Sequence, residues 1–419
     1  MPLSSLPREC VHSLVLPIAS PGYVCSVSVR TEPLSSAAQV DARLTEIERS
    51  VDLLLNVTPV NAAEAWADFE RSDFGTAPTL RLRPLEFDPD LVRRDLYNLE
   101  IEDITDPALH SLFRTKRDEI ARMVTALEDR DTSRFVYGTL QLYGGVTAPL
   151  ARAAEELLET IPPQAPSTHT VTAGVFAEAA REELERYRAV HPELPISVEV
   201  RDDVSELMVS FGQLLIPETA AIRSDRVQPL LHHEIGTHVI TYQNGARQPL
   251  QLLTIGLPGY DETQEGLALL AEYLTGGLDP RRLRVLAGRV VAVEQLLDGA
   301  EFLDLFESLR TDYRIPTRTA WSIAIRVFVG GGNVKDAIYL RGISRILDLL
   351  AEGGSLDPLF VGKLALDHIP LIQELLEREV LHPPWLRPRW LDVPGAPERL
   401  DRLRAGASVM DLYEGEEAA

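Results

Sequence analysis

Apolar residues recur at helical spacing through most of the chain. Segments 37–55 and 106–130 place apolar side chains every three or four residues, which predicts amphipathic helices. Segment 194–218 instead alternates apolar and polar residues in two runs separated by Asp202 and Asp203, the pattern of a hairpin or of two neighbouring strands. The predicted fold class is therefore α+β, predominantly helical, with one small sheet.

Proline-rich segments divide this pattern into regions. The best internal boundary is the stretch "PPQAPSTHT" at 162–170, which is rich in Pro, Ser and Thr. We predict an irregular N-terminal segment (1–36), an N-terminal helical region (37–165), a region that contains the candidate site (166–390) and a C-terminal tail (391–419).

A cluster of histidines follows the predicted sheet. The stretch "HHEIGTH" places His233 and His238 five residues apart around Glu234, whereas a zinc-peptidase helix reads H-E-x-x-H. On a regular helix, side chains five residues apart point about 140° apart, so the two imidazoles would not reach one ion. A π-bulge of one residue returns them to one face, and Gly236 lies where a residue without a Cβ tolerates irregular backbone.

The residue types are those of a catalytic zinc site. Such a site has three protein ligands and keeps a fourth position for water, and a carboxylate beside the ion removes a proton from that water. His233 and His238 are the candidate ligands, and Glu234 is the candidate base.

The third ligand is expected from the helix that follows. The stretch "DETQEGLALLAEY" offers Glu265, with Glu262 and Glu272 as competitors. Glu272 lies two turns further along, so we expect it to support a ligand rather than to bind the ion.

A structural role is the alternative for these histidines, because an isolated H-E-x-x-x-H string has low specificity. Three of the nine histidines of the chain nevertheless fall within seven residues: His232, His233 and His238. Their apolar flanks predict burial, and buried imidazoles beside a carboxylate need compensation that a metal provides. We therefore favour a metal site, with His232 in a structural role.

Charge and composition exclude several classes of partner. The chain has 41 Lys+Arg against 64 Asp+Glu, a formal net charge of −23, which disfavours nucleic acid and anionic membranes. No apolar run approaches the roughly 20 residues of a membrane span. With only Cys10 and Cys25, a disulfide framework is excluded, and we expect a cytoplasmic protein.

The two motifs together resemble one known family. "HHEIGTH" followed by "DETQEGLALLAEYLTG" resembles the tyrosine carboxypeptidases, whose animal members remove the C-terminal tyrosine of α-tubulin and whose bacterial members are labelled by their QEGLA motif. The resemblance runs from roughly Val51 to the C-terminal region. It implies a zincin-like metallopeptidase in which His233, His238 and Glu265 bind Zn²⁺ and Glu234 is the catalytic base.

A further segment, 314–342, is similar to a block of the same family, although "VFVGG" stands where the family has an Arg-Gly pair. A carboxypeptidase needs cations for the terminal carboxylate of its substrate. Arg326 and Lys335 are candidates for this role, and Tyr339 is a candidate donor to the oxyanion. The alternative is that these residues are ordinary salt-bridge partners.

The predicted strand before the histidine motif is a candidate edge strand. In many zinc peptidases such a strand pairs with an extended peptide by β-augmentation. Ser210 and Gly212 are therefore candidate substrate-binding residues, and an ordinary core hairpin is the alternative.

The function predicted from the sequence is a zinc-dependent carboxypeptidase-like hydrolase, with a peptide or protein C terminus as substrate and an aromatic residue as a candidate for removal. Two alternatives stay open: a metal-binding regulatory or scaffold protein, and a zinc hydrolase of small amides or peptide conjugates. The intact Glu234 argues against the scaffold, which has no need of a base. Many Ala, Arg, Leu and Pro with few Lys suggest a bacterial origin, where tubulin tails are absent.

Overall fold

The computed structural model describes residues 33–164, 169–202, 204 and 207–413. The predicted irregular N-terminal segment lies outside the described residues up to residue 32, and Asp203 also lies outside them. Within the described residues the fold is predominantly helical with small sheets, as the sequence predicted.

Several helices precede the histidine motif, all but the last of them before the predicted boundary at 162–170. They are α1 (Pro33–Val51), α2 (Leu53–Val57), α3 (Ala62–Arg71), α4 (Pro89–Tyr97), α5 (Pro107–Asp129), α6 (Phe135–Tyr143), α7 (Ala148–Thr160) and α8 (Ala173–Arg188).

Two of these helices test the sequence predictions directly. Asp106 caps α5 by accepting hydrogen bonds from the backbone N–H groups of Ala108 and Leu109, which confirms the predicted start of this helix. The helix predicted over 37–55 is interrupted, because Asp52 has a positive φ of 26° and its side chain caps α2. The prediction of one uninterrupted helix was therefore wrong, because the helix breaks at Asp52.

Further helices follow from the motif onward. They are α9 (Val227–His233), a π-helix (Glu234–Val239), α10 (Ile240–Ala246), α11 (Leu252–Ile255), α12 (Tyr260–Leu274), α13 (Pro280–Leu297), α14 (Phe302–Thr311), α15 (Thr317–Ile325), a second π-helix (Arg326–Gly330), α16 (Ile338–Ala351), α17 (Ile369–Glu377) and α18 (Ala396–Arg404), the last within the predicted tail.

The strands form two small sheets. They are β1 (Thr170–Thr172), β2 (Val198–Arg201), β3 (Met208–Ser210), β4 (Gln213–Pro217) and β5 (Ala221–Arg223). β1 pairs with β5 in antiparallel orientation. In the other sheet the order is β2-β4-β3, with β2 parallel and β3 antiparallel to β4, so β3 is an edge strand.

The two alternating runs contribute neighbouring strands, which is one of the two predicted arrangements. β2 pairs with β4 in parallel orientation, so the two runs are not the two arms of one hairpin. The tight turn joins β3 to β4 within the second run. Ser210 pairs with Gln213 across a two-residue turn in which Phe211 and Gly212 have φ of 47° and 73°. Positive φ at both central residues matches the twist of a two-residue hairpin.

Two hydrophobic clusters fill the interior. The larger one unites apolar residues of the N-terminal helices with residues of 250–412, so these parts of the chain share one core. The smaller one joins α8, the sheet and the histidine-bearing helix. The candidate site lies where the helix of the smaller cluster packs on α12 of the larger one. Among the described residues, no helix combines the length and the apolar character needed to cross a bilayer.

Candidate metal centre

The helix that carries "HHEIGTH" changes its hydrogen-bonding pattern inside the motif. α9 ends at His233, and residues Glu234–Val239 form a π-helix before α10 continues. The extra residue places the imidazoles of His233 and His238 on one face, with ring centroids 5.1 Å apart. The predicted bulge is confirmed, and it explains how a five-residue spacing gathers two histidines.

Gly236 lies in the π-helix against the indole ring of Trp390. Trp390 Nε1 donates a hydrogen bond to the Gly236 carbonyl at 3.0 Å, and the indole is fully buried. A Cβ added at Gly236 would lie 2.8 Å from Trp390 Cδ1, closer than real contacts allow. The glycine is therefore needed for this packing as well as for backbone tolerance.

Gly236→Ala is expected to destabilise the protein by about 1–3 kcal/mol, the usual effect of overpacking a core. The displaced indole should also change the tryptophan fluorescence of the folded protein. Urea unfolding followed by fluorescence and circular dichroism measures both effects. Gly174→Ala is the matched control, because a Cβ there meets only Thr172 Oγ1 at 4.0 Å. Equal stability of the two variants would contradict the proposed packing role.

Three side chains converge beside the π-helix. His233, His238 and Glu265 each place one potential ligand atom so that all three atoms lie within 4.8 Å of one another. His233 Nε2 is 3.8 Å from Glu265 Oε2. Two ligands bound at about 2 Å to one tetrahedral ion lie about 3.4 Å apart, so only small side-chain shifts separate this arrangement from coordination.

The chemistry of these residues fits a metal ion. Glu265 Oε2 is buried and has no hydrogen-bond partner within the described part of the chain. An orphaned carboxylate oxygen is costly in the interior unless something pairs with it. Two imidazole nitrogens with one carboxylate oxygen form a donor set of catalytic zinc sites. The residues present therefore suit zinc.

Glu272 contacts Nδ1 of His233, the ring nitrogen that is not the one near Glu265. His233 Nδ1 is 2.8 Å from Glu272 Oε1, and Arg226 donates to the other carboxylate oxygen at 2.8 Å. Burial raises the pKa of Glu272, but Arg282, the hydrogen bond with His233 and Arg226 together lower it well below its usual value. The carboxylate is thus charged and orients the ring so that Nε2 faces Glu265. This contact is the one expected of a residue that supports a metal ligand, and the effect of Glu272 on metal binding stays a prediction.

Gln264 contacts Nδ1 of His238 in the same way as Glu272 contacts Nδ1 of His233. His238 Nδ1 lies 3.5 Å from Gln264 Oε1, which also accepts a hydrogen bond from Thr241 Oγ1 at 2.7 Å. Burial lowers the pKa of His238 to about 4. The neutral imidazole is the form that binds metal, so the surroundings prepare this ring as a ligand.

Glu234 lies beside the three converging side chains without belonging to them. Its Oε1 is 4.0 Å from His233 Nε2, and the residue is 8% exposed. Burial raises its pKa to about 7. A carboxyl group with a pKa near neutrality is well matched to accept and return a proton, which is what a general base requires.

The chain is similar to a known family over most of its length. A family model described as "Microtubule-associated tyrosine carboxypeptidase" matches residues 67–408, most of the chain. The chain belongs to this family. The resemblance carried by the two motifs is thereby confirmed, and the matched range contains His233, His238, Glu265 and Glu234. No curated protein and no solved structure gives a significant match.

The remaining acidic and histidine residues of the two motifs lie outside the site. Glu262 accepts hydrogen bonds from Arg341 and, at 2.9 Å, from Arg345, which removes it as a competing ligand. His232 lies next to Gly236 and outside the group of converging side chains, and burial lowers its pKa. Its position agrees with the structural role expected for it.

The cations expected to bind the substrate already have carboxylate partners. Arg326 makes three hydrogen bonds of 2.8–3.1 Å to Asp336, which has no exposed surface. Lys335 Nζ is 3.0 Å from Asp261 Oδ1, one helical turn before Glu265. In this family member, both positive charges are balanced within the protein, so neither is free for a terminal carboxylate without rearrangement.

Tyr339 and Ser210 are half-buried, whereas Gly212 is buried. The guanidinium of Arg289 sits over the Tyr339 ring, 4.9 Å from its centroid. Gly212 faces Tyr242, because a Cβ at Gly212 would lie 2.5 Å from the Tyr242 ring. Ser210 ends the edge strand beside Gly212. Substrate contacts by Ser210, Gly212 and Tyr339 stay predictions.

Sequence reasoning missed the cations around the site. Arg226 lies two helical turns before His233, a spacing that could have marked it as a partner on the same face. Arg282 and Lys363 carry no such local signal, because they come from segments distant in sequence. For Lys363 the amino-acid composition was the available signal, because lysine is rare in this chain.

Proposed function

We propose that this protein is a zinc-dependent metallocarboxypeptidase with a zincin-like catalytic region, which removes one residue from the C terminus of a peptide or protein. The observation that carries the proposal is the convergence of His233, His238 and Glu265 beside the buried Glu234. Membership of a carboxypeptidase family supports the reaction class.

The side chains divide the chemistry among them. A zinc ion held by His233, His238 and Glu265 would supply Lewis acidity and lower the pKa of a bound water toward about 7. Glu234 accepts the proton of the attacking water and passes it to the leaving amine. Burial raises the pKa of Tyr339, so its hydroxyl keeps its proton and can donate a hydrogen bond to the oxyanion.

The proposed substrate follows from charge. The family name refers to microtubules and tyrosine, but a net charge of −23 repels a strongly acidic tail such as that of tubulin. We propose a peptide or protein C terminus of lower negative charge, met in the cytoplasm of a bacterium, with no nucleic-acid or membrane partner.

Digestion of a peptide library by the zinc-loaded protein tests the reaction class. Loss of a single C-terminal residue, read by mass spectrometry, is the expected result. N-terminal or internal cleavage would contradict the carboxypeptidase proposal, and an absence of any cleavage would favour a metal-binding scaffold.

Glu272→Gln is expected to weaken zinc binding about 10–100-fold, because residues that orient metal ligands typically contribute this much. The amide keeps the shape of Glu272 but removes the charge that fixes the tautomer of His233. Competition with a chromophoric chelator measures the dissociation constant. Glu262→Gln is the control on the same helix, since its partners are Arg341 and Arg345. Equal zinc affinity in both variants would remove the supporting role of Glu272.

A further inference from the structure

The chain contains only three lysines: Lys116, Lys335 and Lys363. None of them is a typical solvated surface residue. Lys116 and Lys335 are 0% and 3% exposed, and Lys363 is half-buried. Lysine is seldom buried without a partner, so the environment of each ammonium group is informative.

Two of the three lysines are balanced by carboxylates. Lys116 Nζ is 2.7 Å from Glu48 and 2.8 Å from Glu119. Lys335 Nζ is 3.0 Å from Asp261. The carboxylates of Asp261, Glu48 and Glu265 raise the pKa of the third lysine, Lys363. Glu48 and Asp261, however, are already ion-paired with the other two lysines.

Lys363 has no ion-paired carboxylate within the part of the chain that the structure describes. Its ammonium lies 5.8 Å from the ring centroid of Tyr242 and 5.6 Å from that of Tyr260. Tyr242 comes one helical turn after His238, and Tyr260 begins α12, which carries Glu265. The cation therefore lies between the two helices that supply the candidate metal ligands.

The backbone holds Lys363 firmly in this place. Its N–H donates to the Leu253 carbonyl at 2.8 Å, and its own carbonyl accepts from the Leu257 N–H at 2.9 Å. A Cβ at the preceding Gly362 would lie 2.7 Å from the Leu253 oxygen, so only glycine permits this close approach. These hydrogen bonds fix the backbone of Lys363 against residues 253–257, the segment that leads into α12.

Lys363 is half-buried and forms no ion pair with a carboxylate of the described residues, so its charge is only partly compensated. Desolvation disfavours its charged form, and burial lowers the pKa of Lys363. A carboxylate brought by a ligand would supply the missing charge, and the flanking rings would contact an apolar or aromatic side chain next to it. The C-terminal residue of a peptide carries both groups.

We propose that Lys363 binds the C-terminal carboxylate of the substrate, while Tyr242 and Tyr260 contact the side chain of the terminal residue. The proposal rests on the carboxypeptidase function proposed above, and it gives to Lys363 the role that the sequence suggested for Arg326 and Lys335.

Kinetics with a matched pair of peptides tests this assignment. A peptide that the wild type cleaves is compared with the same peptide amidated at its C terminus. Lys363→Met is expected to raise KM for the free acid about 10–100-fold, the effect of losing one charge-assisted hydrogen bond, and to bring the acid-to-amide preference close to one. Lys363→Arg should retain part of the preference.

Arg247→Met is the control, because Arg247 also lies over an aromatic ring, Trp385, at 3.3 Å but contacts Glu193 rather than the candidate site. It should keep the wild-type KM. If Lys363→Met keeps the wild-type acid preference and loses only kcat, Lys363 acts on the oxyanion instead and the proposal is overturned.

A binding experiment separates this proposal from the proposed function. Wild-type protein is acylated with a lysine-reactive ester in the presence of N-acetyltyrosine or N-acetyltyrosinamide, and the labelling rate of Lys363 is read by mass spectrometry. Protection by the free acid alone supports the carboxylate site even if no peptide is cleaved. Equal labelling rates with the two compounds overturn it, whether or not the protein is a peptidase.

Discussion

Glu234→Gln is expected to lower kcat for C-terminal cleavage about 100–10,000-fold, the usual contribution of a positioned general base, while the protein keeps its zinc. Glutamine fills the same space as Glu234 but accepts no proton at neutral pH. Because Glu234 lies beside the converging side chains without being one of them, the ligand set of the ion is unchanged. Steady-state kinetics and metal analysis of the same sample measure both properties.

Glu185→Gln is the matched control, since Glu185 is an exposed carboxylate that pairs with Arg188 on α8. It should leave both kcat and zinc content unchanged. A Glu234→Gln protein that cleaves at the wild-type rate would remove Glu234 as the base. A variant without zinc would instead make Glu234 part of the coordination.

The geometry of the histidine motif could be predicted because it depends on residues that are close in sequence. A spacing of five residues is incompatible with one helical face unless the helix gains a residue, so the pattern itself demands the bulge found at Glu234–Val239. Gly236 pointed to the same place. Its contact with Trp390, 154 residues later, had no signal in the motif.

For the two strand runs the sequence left a hairpin and two neighbouring strands open, and local reasoning did not decide between them. Asp202 and Asp203 are typical turn residues, whereas the turn that joins β3 and β4 is made by Phe211 and Gly212. A phenylalanine with positive φ is uncommon, because its Cβ disfavours the left-handed region. The position of this turn follows from the pairing of β3 with β4. The turn preferences of single residues did not predict that pairing.

Charge partners were the least predictable part of the site. Arg326 and Lys335 have the right chemistry for a carboxylate, but their availability depends on Asp336 and Asp261. Such ion pairs form when separate elements pack together, and the periodicity of the sequence does not predict them. The same holds for Lys363, whose lack of an ion-paired carboxylate among the described residues becomes visible only when the partners of the other lysines are known.

Zinc is expected to stabilise the metal-free protein against thermal unfolding, by about 4 kcal/mol when free zinc exceeds its dissociation constant a thousandfold. The reason is that the buried Glu265 oxygen and the two imidazoles gain a partner that the unfolded chain does not provide. The melting temperature should therefore rise by several degrees on adding zinc and fall again with a chelator, with one ion bound per chain. Differential scanning fluorimetry and metal analysis measure the two quantities.

Variants of the ligands make this effect specific. His233→Ala, His238→Ala and Glu265→Gln should each abolish most of the zinc-dependent rise, whereas Glu234→Gln should keep it, because Glu234 is not in the ligand set. Zinc bound weakly by surface carboxylates would stabilise all four variants alike. A rise that persists in the ligand variants would place the ion elsewhere, and the catalytic role proposed for this centre would lose its physical basis.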